Sequence, residues 1–274
     1  MRNLNHISAE ALNALIGMAN CPLIYDVRRE ALFRGAPTRI AGSLWHDHMS
    51  IDRIALDLDD DQPVVVYCAH GHNVSEIAGA KLRALGVDAQ VLTGGIAAFD
   101  AIKGLMVRQG GALPAGIAGT PSIWVTRERP KIDRIACPWL IRRFVDPLAE
   151  FHFVAPEWVI DVAKEMGGTA YDVDGVFWSH RGQTCSFDTM IAEFGLSSPA
   201  FDALAMIVRG ADTARLDLAP QAAGLLAISL GLSRNFDKDL EQLEAGMLVY
   251  DALYAWARDG QSETHNWPVK EPKP

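Results

Sequence analysis

The chain has 274 residues, 49% of them apolar, with 25 basic against 34 acidic side chains and a formal charge of −9. This is enough chain for two ordinary domains with buried cores, and the mix is that of a globular protein rather than a disordered or fibrous one. The balance is acidic in both halves, 9 basic against 12 acidic up to Leu105 and 16 against 22 beyond it, which argues against nucleic acid as a partner.

In the first half, short apolar runs alternate with helical stretches. Ser8 can cap a helix whose apolar positions Leu12, Leu15, Ile16 and Met18 recur at helical spacing. Pro22 to Val27 reads as a short buried strand and Ile40 to Leu44 as a weaker one. Pro63-Val-Val-Val-Tyr67 is the strongest strand pattern in the chain, because three consecutive β-branched residues disfavour helix and suit a sheet buried on both faces. A helix follows over Asn73 to Leu85, ended by Gly86, then a strand over Ala89 to Leu92 and a helix from the Gly94-Gly95 turn to Lys103. Strand and helix alternate, so residues 5–105 are expected to form an α/β domain with an open, largely parallel sheet flanked by helices.

Residues 106–120 are rich in glycine and hold no sustained period, the mark of a linker. From 121 to 260 a mixed α+β, helix-rich domain is expected. Its strands fall near Ser122 to Thr126, Phe151 to Val154 and Thr169 to Val173, and its helices over Arg134 to Phe144, Glu157 to Met166, Thr189 to Phe194, Ala200 to Val208, Gln221 to Leu230 and Leu240 to Arg258. Residues 261–274, with three prolines among the last seven, are expected to be a frayed tail. No apolar run of about twenty residues could cross a bilayer, and the first twenty residues lack the pattern of a secretory signal. A cytoplasmic protein without a membrane partner is expected. Cys21, Cys68, Cys137 and Cys185 are dispersed with no CxxC pair, which argues against a disulfide framework or a structural zinc site.

Cys68 closes the strongest strand and precedes the loop Ala69-His70-Gly71-His72-Asn73-Val74-Ser75, which opens a helix. In an open α/β sheet ligands gather at the carboxyl ends of strands, where loop amides and a helix N-terminus favour an anion. A thiol placed there has its nucleophilic thiolate form favoured. The bland alternative is a small buried hydrophobe, the usual fate of a free cysteine.

The neighbouring motifs weigh toward chemistry. Over roughly residues 5 to 105 the chain resembles the rhodanese-like family. Tyr25-Asp-Val-Arg28 with Glu30 is similar to the family's Asp-x-Arg signature, Arg39-Ile-Ala-Gly-Ser43 to its His-Ile-Pro-Gly-Ala turn, Tyr67-Cys-Ala-His-Gly71 to its nucleophile loop, and Leu92-Thr-Gly-Gly95 to the turn before its last helix. The resemblance implies sulfur transfer, with Cys68 taking sulfur from a small sulfane donor as a persulfide and passing it to a thiol acceptor or cyanide. The loop amides from Ala69 to Asn73 would hold the transferred group. Asp26 and Arg28 are expected to form a structural ion pair. Two departures stand out: Asn73 replaces the Arg or Lys that many members carry, and the serine falls one position late, at Ser75. Without that cation the related phosphatase and arsenate-reductase chemistries lose the guanidinium that binds a tetrahedral dianion.

The second half is similar to the C-terminal domain of ChrB-type chromate-resistance proteins. The matching segments are Asp133-Arg-Ile-Ala-Cys-Pro-Trp-Leu-Ile-Arg-Arg-Phe144, Ser179-His-Arg-Gly-Gln-Thr-Cys-Ser-Phe-Asp188, Ile207-Val-Arg-Gly-Ala-Asp-Thr213 and Tyr250-Asp-Ala-Leu-Tyr254. Arg127, Arg129, Lys131, Arg134, Arg142 and Arg143 place six cations within seventeen residues. Of these, Arg127, Arg134, Arg142 and Arg143 are the candidates for binding chromate or another oxyanion, against the bland alternative of a solvated basic face. His180, Asp188 and Asp212 offer imidazole and carboxylate ligands suited to a divalent transition metal in this domain, against a satisfied histidine and surface acids. Cys137, and Trp139, Trp158, Trp178 and Trp256, are expected to pack.

The expected function is a rhodanese-type sulfurtransferase coupled to a chromate-resistance domain. Two alternatives remain open at this point: a non-enzymatic chromate, metal or redox sensor or regulator, and a thiol-dependent chromate reductase.

Overall fold

The computed structural model describes residues 5–58, 61–111 and 113–264. Of the expected tail, residues 265–274 lie outside the described residues. The first half runs β1 (His6–Ile7), α1 (Ala9–Leu15), β2 (Leu23–Asp26), α2 (Glu30–Arg34), β3 (Thr38–Ile40), β4 (Ser43–Trp45), β5 (Val64–Tyr67), α3 (Asn73–Ala84), β6 (Ala89–Leu92) and α4 (Gly95–Ala101). Ser8 caps α1 as its side chain implies, accepting from the Ala11 N–H. Five strands form a sheet in the order β1-β6-β5-β2-β4, every pair parallel. The Val-Val-Val-Tyr run is its central strand, and all four residues are buried. Cys68 therefore leaves the sheet at its middle, on the carboxyl edge.

The strand expected over Ile40 to Leu44 is two strands. The chain turns at Ala41-Gly42, where Gly42 has a φ of +74°, so β4 joins the main sheet while β3 pairs antiparallel with β7 (Met106–Arg108). That partner lies inside the segment expected to be linker. Val107 is fully buried there, and Ile117 bridges to Trp45, so much of 106–120 packs on the first half. Its glycines hid a three-residue strand too short to show a period.

The second half contains β8 (Ile123–Arg127), α5 (Asp133–Phe144), β9 (Glu150–Val154), α6 (Val159–Glu165) and β10 (Thr169–Ala170), followed by α7 (Ser186–Phe194), α8 (Pro199–Asp212), α9 (Ala222–Asn235) and α10 (Asp239–Ala255). The three strands are parallel in the order β10-β8-β9. Helix α5 is buried on nearly every side, including Cys137, Pro138 and Trp139. Trp178 is buried as expected, but Trp158 is 56% exposed and belongs to no core.

The two halves share one apolar core. Leu12, Ile16, Ile40 and Phe99 of the first half belong to the same cluster as Trp139, Phe144, Phe201 and Tyr254 of the second. Burying each such side chain contributes about 1.5–3 kcal/mol relative to leaving it in water. Gly17 marks how close the approach is: a Cβ there would lie 2.4 Å from the Phe144 ring and 2.8 Å from that of Tyr254. Hydrogen bonds cross the same seam, from the Gly42 N–H to the Phe144 carbonyl at 2.6 Å and from Arg39 Nη2 to the Val145 carbonyl at 2.7 Å. Among the described residues no helix is long and apolar enough to cross a membrane.

Candidate functional site

Cys68 sits at the mouth of a pocket of about 300 Å³, lined on one side by Arg28, Arg29 and Leu32 and on the other by Cys68, Ala69, His70, His72, Asn73 and Val74. The side chain is 7% exposed, so the sulfur is shielded yet reachable. The Ser75 hydroxyl lies 3.2 Å from both Sγ and the His72 carbonyl, so its one proton can turn to the sulfur when that is a thiolate. Burial alone would push this thiol up. The Ser75 hydroxyl and backbone hydrogen bonds from His70, Ser75 and His72 outweigh burial and hold Cys68 below the ordinary thiol value.

The loop has this shape because two glycine-bearing segments touch. A Cβ on Gly95 would fall 2.3 Å from the Cys68 carbonyl oxygen and 2.6 Å from the Gly71 nitrogen. With only hydrogen there, the Ile96 and Ala97 N–H groups reach the carbonyls of Cys68 and Ala69 at 2.9 and 3.1 Å. These bonds turn the carbonyls toward α4 and leave the amide side of the loop for the sulfur. Of the loop residues singled out by sequence, Gly71 and Ser75 do not line the pocket: Gly71 is under the loop and Ser75 is beneath the sulfur. Arg29, which no motif pointed to, does line it and supplies positive charge that Asn73 lacks.

Asp26 and Arg28 form the expected buried ion pair. Arg28 Nε and Nη2 reach Asp26 Oδ2 at 2.9 and 2.6 Å, the Arg28 N–H reaches Oδ1 at 3.0 Å, and the Tyr67 hydroxyl donates to Oδ2 at 2.9 Å. Through the Tyr67 hydroxyl, Asp26 also ties the end of β2 to β5 one residue before Cys68.

The second half holds a polar cluster at the carboxyl ends of β8 and β10. His180 Nε2 lies 3.3 Å from Asp212 Oδ2, 3.3 Å from Asp172 Oδ1 and 3.5 Å from Asp133 Oδ2. Asp133 opens α5, Asp212 closes α8, and Asp172 follows β10 with a φ of +52°. Ser186, the first residue of α7, donates its N–H to Asp133 Oδ2 at 2.6 Å and its hydroxyl to Asp172 Oδ1 at 2.7 Å. Arg127 and Arg134 pair with Asp172 Oδ2 at 3.1 and 3.4 Å.

Three carboxylates around one imidazole perturb each other in opposite directions. Burial, then the charges of Asp212 and Asp172, hold Asp133 well above the usual carboxyl range. Asp212 is also raised, chiefly by burial and by Asp172. Asp172 is lowered despite burial, because His180 and Ser186 hydrogen-bond it and the two arginines face it. The hydrogen bond to Asp172 is the main cause that raises His180 to about 9, with burial opposing and the other two carboxylates helping.

Several sequence expectations are corrected here. Asp188 is not in the cluster: it sits in the first turn of α7, accepts from the Cys185 N–H and is held through both oxygens by Arg209. Its place among the candidate ligands is taken by Asp133, with Asp172 beside it. The four arginines expected to converge on an oxyanion do not converge. Arg127 and Arg134 are engaged by Asp172, Arg142 by Glu244 at 2.6 Å, and Arg143 by Asp251 at 2.8 Å. Asp251 also accepts from the Trp139 indole, so the α5 arginines fasten α10 instead. Asp133 heads the longest motif of this half and could have been suspected from it. Asp172 carried no signal, since its role depends on a β10 end that only the fold brings to His180. Cys137 is sealed in the core as expected, and Cys185, pushed far up by burial and by Asp133 and Asp188, is no thiolate.

Comparison with known proteins divides the chain at the same seam. Residues 8–102 match the rhodanese-like domain, and residues 124–257 match the ChrB C-terminal domain. Protein ChrB of Cupriavidus metallidurans is 33% identical over 133 residues, which is 48% of this chain and 39% of that protein, so the similarity spans well under half of the relative. Among solved structures, a rhodanese-related protein from Thermoplasma volcanium is 25% identical, with 38% of this chain and 99% of that one covered and a TM-score of 0.33. A rhodanese-like domain protein from Staphylococcus aureus is 22% identical, with 35% and 90% covered and a TM-score of 0.31.

Proposed function

The chain joins a rhodanese-like domain to a ChrB-type C-terminal domain, and from that premise we propose that it is a sulfurtransferase working through a persulfide on Cys68, in the service of chromate resistance. The supporting observation is the placement of the Cys68 sulfur, held by the Ser75 hydroxyl and loop amides at the edge of an open pocket. In the first step the Cys68 thiolate attacks the outer sulfur of a sulfane donor such as thiosulfate. A new S–S bond forms, the donor's S–S bond breaks, and sulfite leaves with the electron pair. In the second step a thiolate acceptor or cyanide attacks the terminal sulfur and returns Cys68 as thiolate. Arg29 and the His70 and His72 rings line the path of the anionic donor, and the loop amides hold the charge that moves onto the terminal sulfur. Mass spectrometry of the protein after thiosulfate should find one added sulfur on the peptide bearing Cys68, and none in Cys68→Ser. An unmodified Cys68 in the native protein, or intact thiosulfate:cyanide activity in Cys68→Ser, would refute the proposal.

A second reading, a cytoplasmic sensor in which the second domain binds a ligand, draws on the polar cluster at the end of β8. Helix α5 runs from Asp133 in that cluster to the Val145 carbonyl that Arg39 holds, and the next residue, Ile40, donates its N–H to the Tyr67 hydroxyl at 3.3 Å. Binding at one end of α5 thus has a packed route to the strand that carries Cys68. The groups facing His180 are carboxylates, which favours a metal over chromate as the ligand there. A chromate reductase finds less support, because it needs a second thiol, and Cys68 is the only one of the four cysteines that lines its pocket.

A further inference from the structure

We propose that Asp133, His180 and Asp212 are the ligands of one divalent first-row transition cation, with Asp172 as the outer partner that orients His180. This deepens the sensor reading and is independent of the sulfur chemistry at Cys68. The three side chains each offer one ligand atom, all within 4.8 Å of one another. Ligands about 2.1 Å from a shared ion stand at most about 4.2 Å apart, so shifts of a few tenths of an ångström close the set around a cation.

Charge decides what the cluster can hold. Three carboxylates meet only two guanidiniums, those of Arg127 and Arg134, and both are directed at Asp172. Among the described residues Asp133 and Asp212 pair directly with His180 alone, and Arg134 acts on Asp212 only from farther off. An oxyanion would be repelled there and a dication attracted. Asp133 supplies an independent sign: it is fully buried, and its Oδ1 has no hydrogen-bond partner. A buried carboxylate oxygen without a donor is unfavourable unless a cation meets it.

The surroundings have the form of an outer shell. Ser186 fixes one oxygen each of Asp133 and Asp172, and Asp172 fixes the imidazole. Two carboxylates and one imidazole suit Mn²⁺, Fe²⁺ or Zn²⁺ better than a soft ion, which would seek thiolate. The Cys185 thiol lies beside Asp133 but donates to Asp188 Oδ2 at 3.2 Å. The His180 side chain is 43% exposed, which opens a way in from solvent.

The test uses the full chain, stripped with chelator and titrated with MnCl₂ while the paramagnetic signal of free Mn²⁺ is followed. One Mn²⁺ should bind per chain. Asp133→Asn, His180→Gln and Asp212→Asn should each weaken binding by more than 100-fold, and Asp172→Asn by about 10- to 100-fold, as for an outer-shell partner. Asp188→Asn should leave the affinity unchanged. Thermal unfolding separates a lost site from a lost fold: Mn²⁺ should raise the midpoint of the native chain and not that of Asp212→Asn, a partly exposed position. Absence of saturable Mn²⁺ binding, or binding untouched by the Asp133 and His180 substitutions, overturns the proposal. Binding abolished by the variants upholds the site even where bound Mn²⁺ leaves the response to chromate unchanged, and it is then the sensor reading that fails.

Discussion

The two polar sites handle charge in opposite ways. At Cys68 one incipient anion is met by neutral donors, a hydroxyl and a set of backbone amides, none of which must be desolvated as an ion. At His180 three carboxylates crowd one imidazole, and the arginines relieve chiefly Asp172. The first arrangement stabilises a negative sulfur that the protein itself carries. The second sets carboxylates against one another, and their mutual repulsion invites a positive ligand. Both lie at carboxyl edges of parallel strands, so the same architectural address serves opposite chemistries, depending on whether main chain or side chains face the ligand.

The sharpest way to break this contrast is Cys68→Ser, which should reduce thiosulfate:cyanide transfer to background while leaving Mn²⁺ binding intact. Next in size is damage to the seam that joins the sites. Gly17→Ala should cost about 2–4 kcal/mol in urea-induced unfolding, from a left-handed backbone and an overfilled contact with Phe144. If the halves fold independently, the substitution would lower only one of two transitions.

A smaller effect is the pH dependence of the metal-free protein. His180 keeps its proton to about 9 in the folded chain, against an ordinary 6.5. The folded state therefore binds a proton that the unfolded state releases between those values. The resulting stabilisation is complete below pH 6.5 and is lost as pH rises through 9. The urea midpoint should fall over that window, and His180→Gln should flatten the fall; an unchanged slope in the variant would detach His180 from the carboxylates. The smallest expected change is in Ser75→Ala, which should move the pH midpoint of Cys68 alkylation upward and slow the reaction at pH 7 by up to roughly tenfold, the worth of one ordinary hydrogen bond. A midpoint that stays in place would leave the amides as the whole cause.

What could be foreseen from sequence follows from the same contrast. The Cys68 site is built from contiguous residues, and a strand pattern, a loop and a helix start mark it in one stretch. The parallel sheet was legible because the Val64–Tyr67 run and its neighbours alternate with helices. The His180 cluster is assembled from four segments spread over eighty residues, so no spacing reveals it, and Asp188 drew notice only because it lies near His180 in the chain. A carboxylate at the third residue of a helix is as readily a cap as a ligand, and Arg209, one helix away, decides the matter. Strand β7 was hidden for a different reason: its pairing with β3 exists only once the chain has doubled back at Gly42.

Arg39 carries a consequence for how the halves may move. Its guanidinium is wholly enclosed at the seam, donating to the Ser43 carbonyl within its own half and to the Val145 carbonyl across it, with Nη1 unmatched. Sliding one half by an ångström would strand a permanent charge among aliphatic and aromatic groups, at a cost of several kcal/mol. That cost disfavours gradual shear, and it leaves α5, which runs from Asp133 to the Val145 carbonyl, as a rigid packed strut between the two edges.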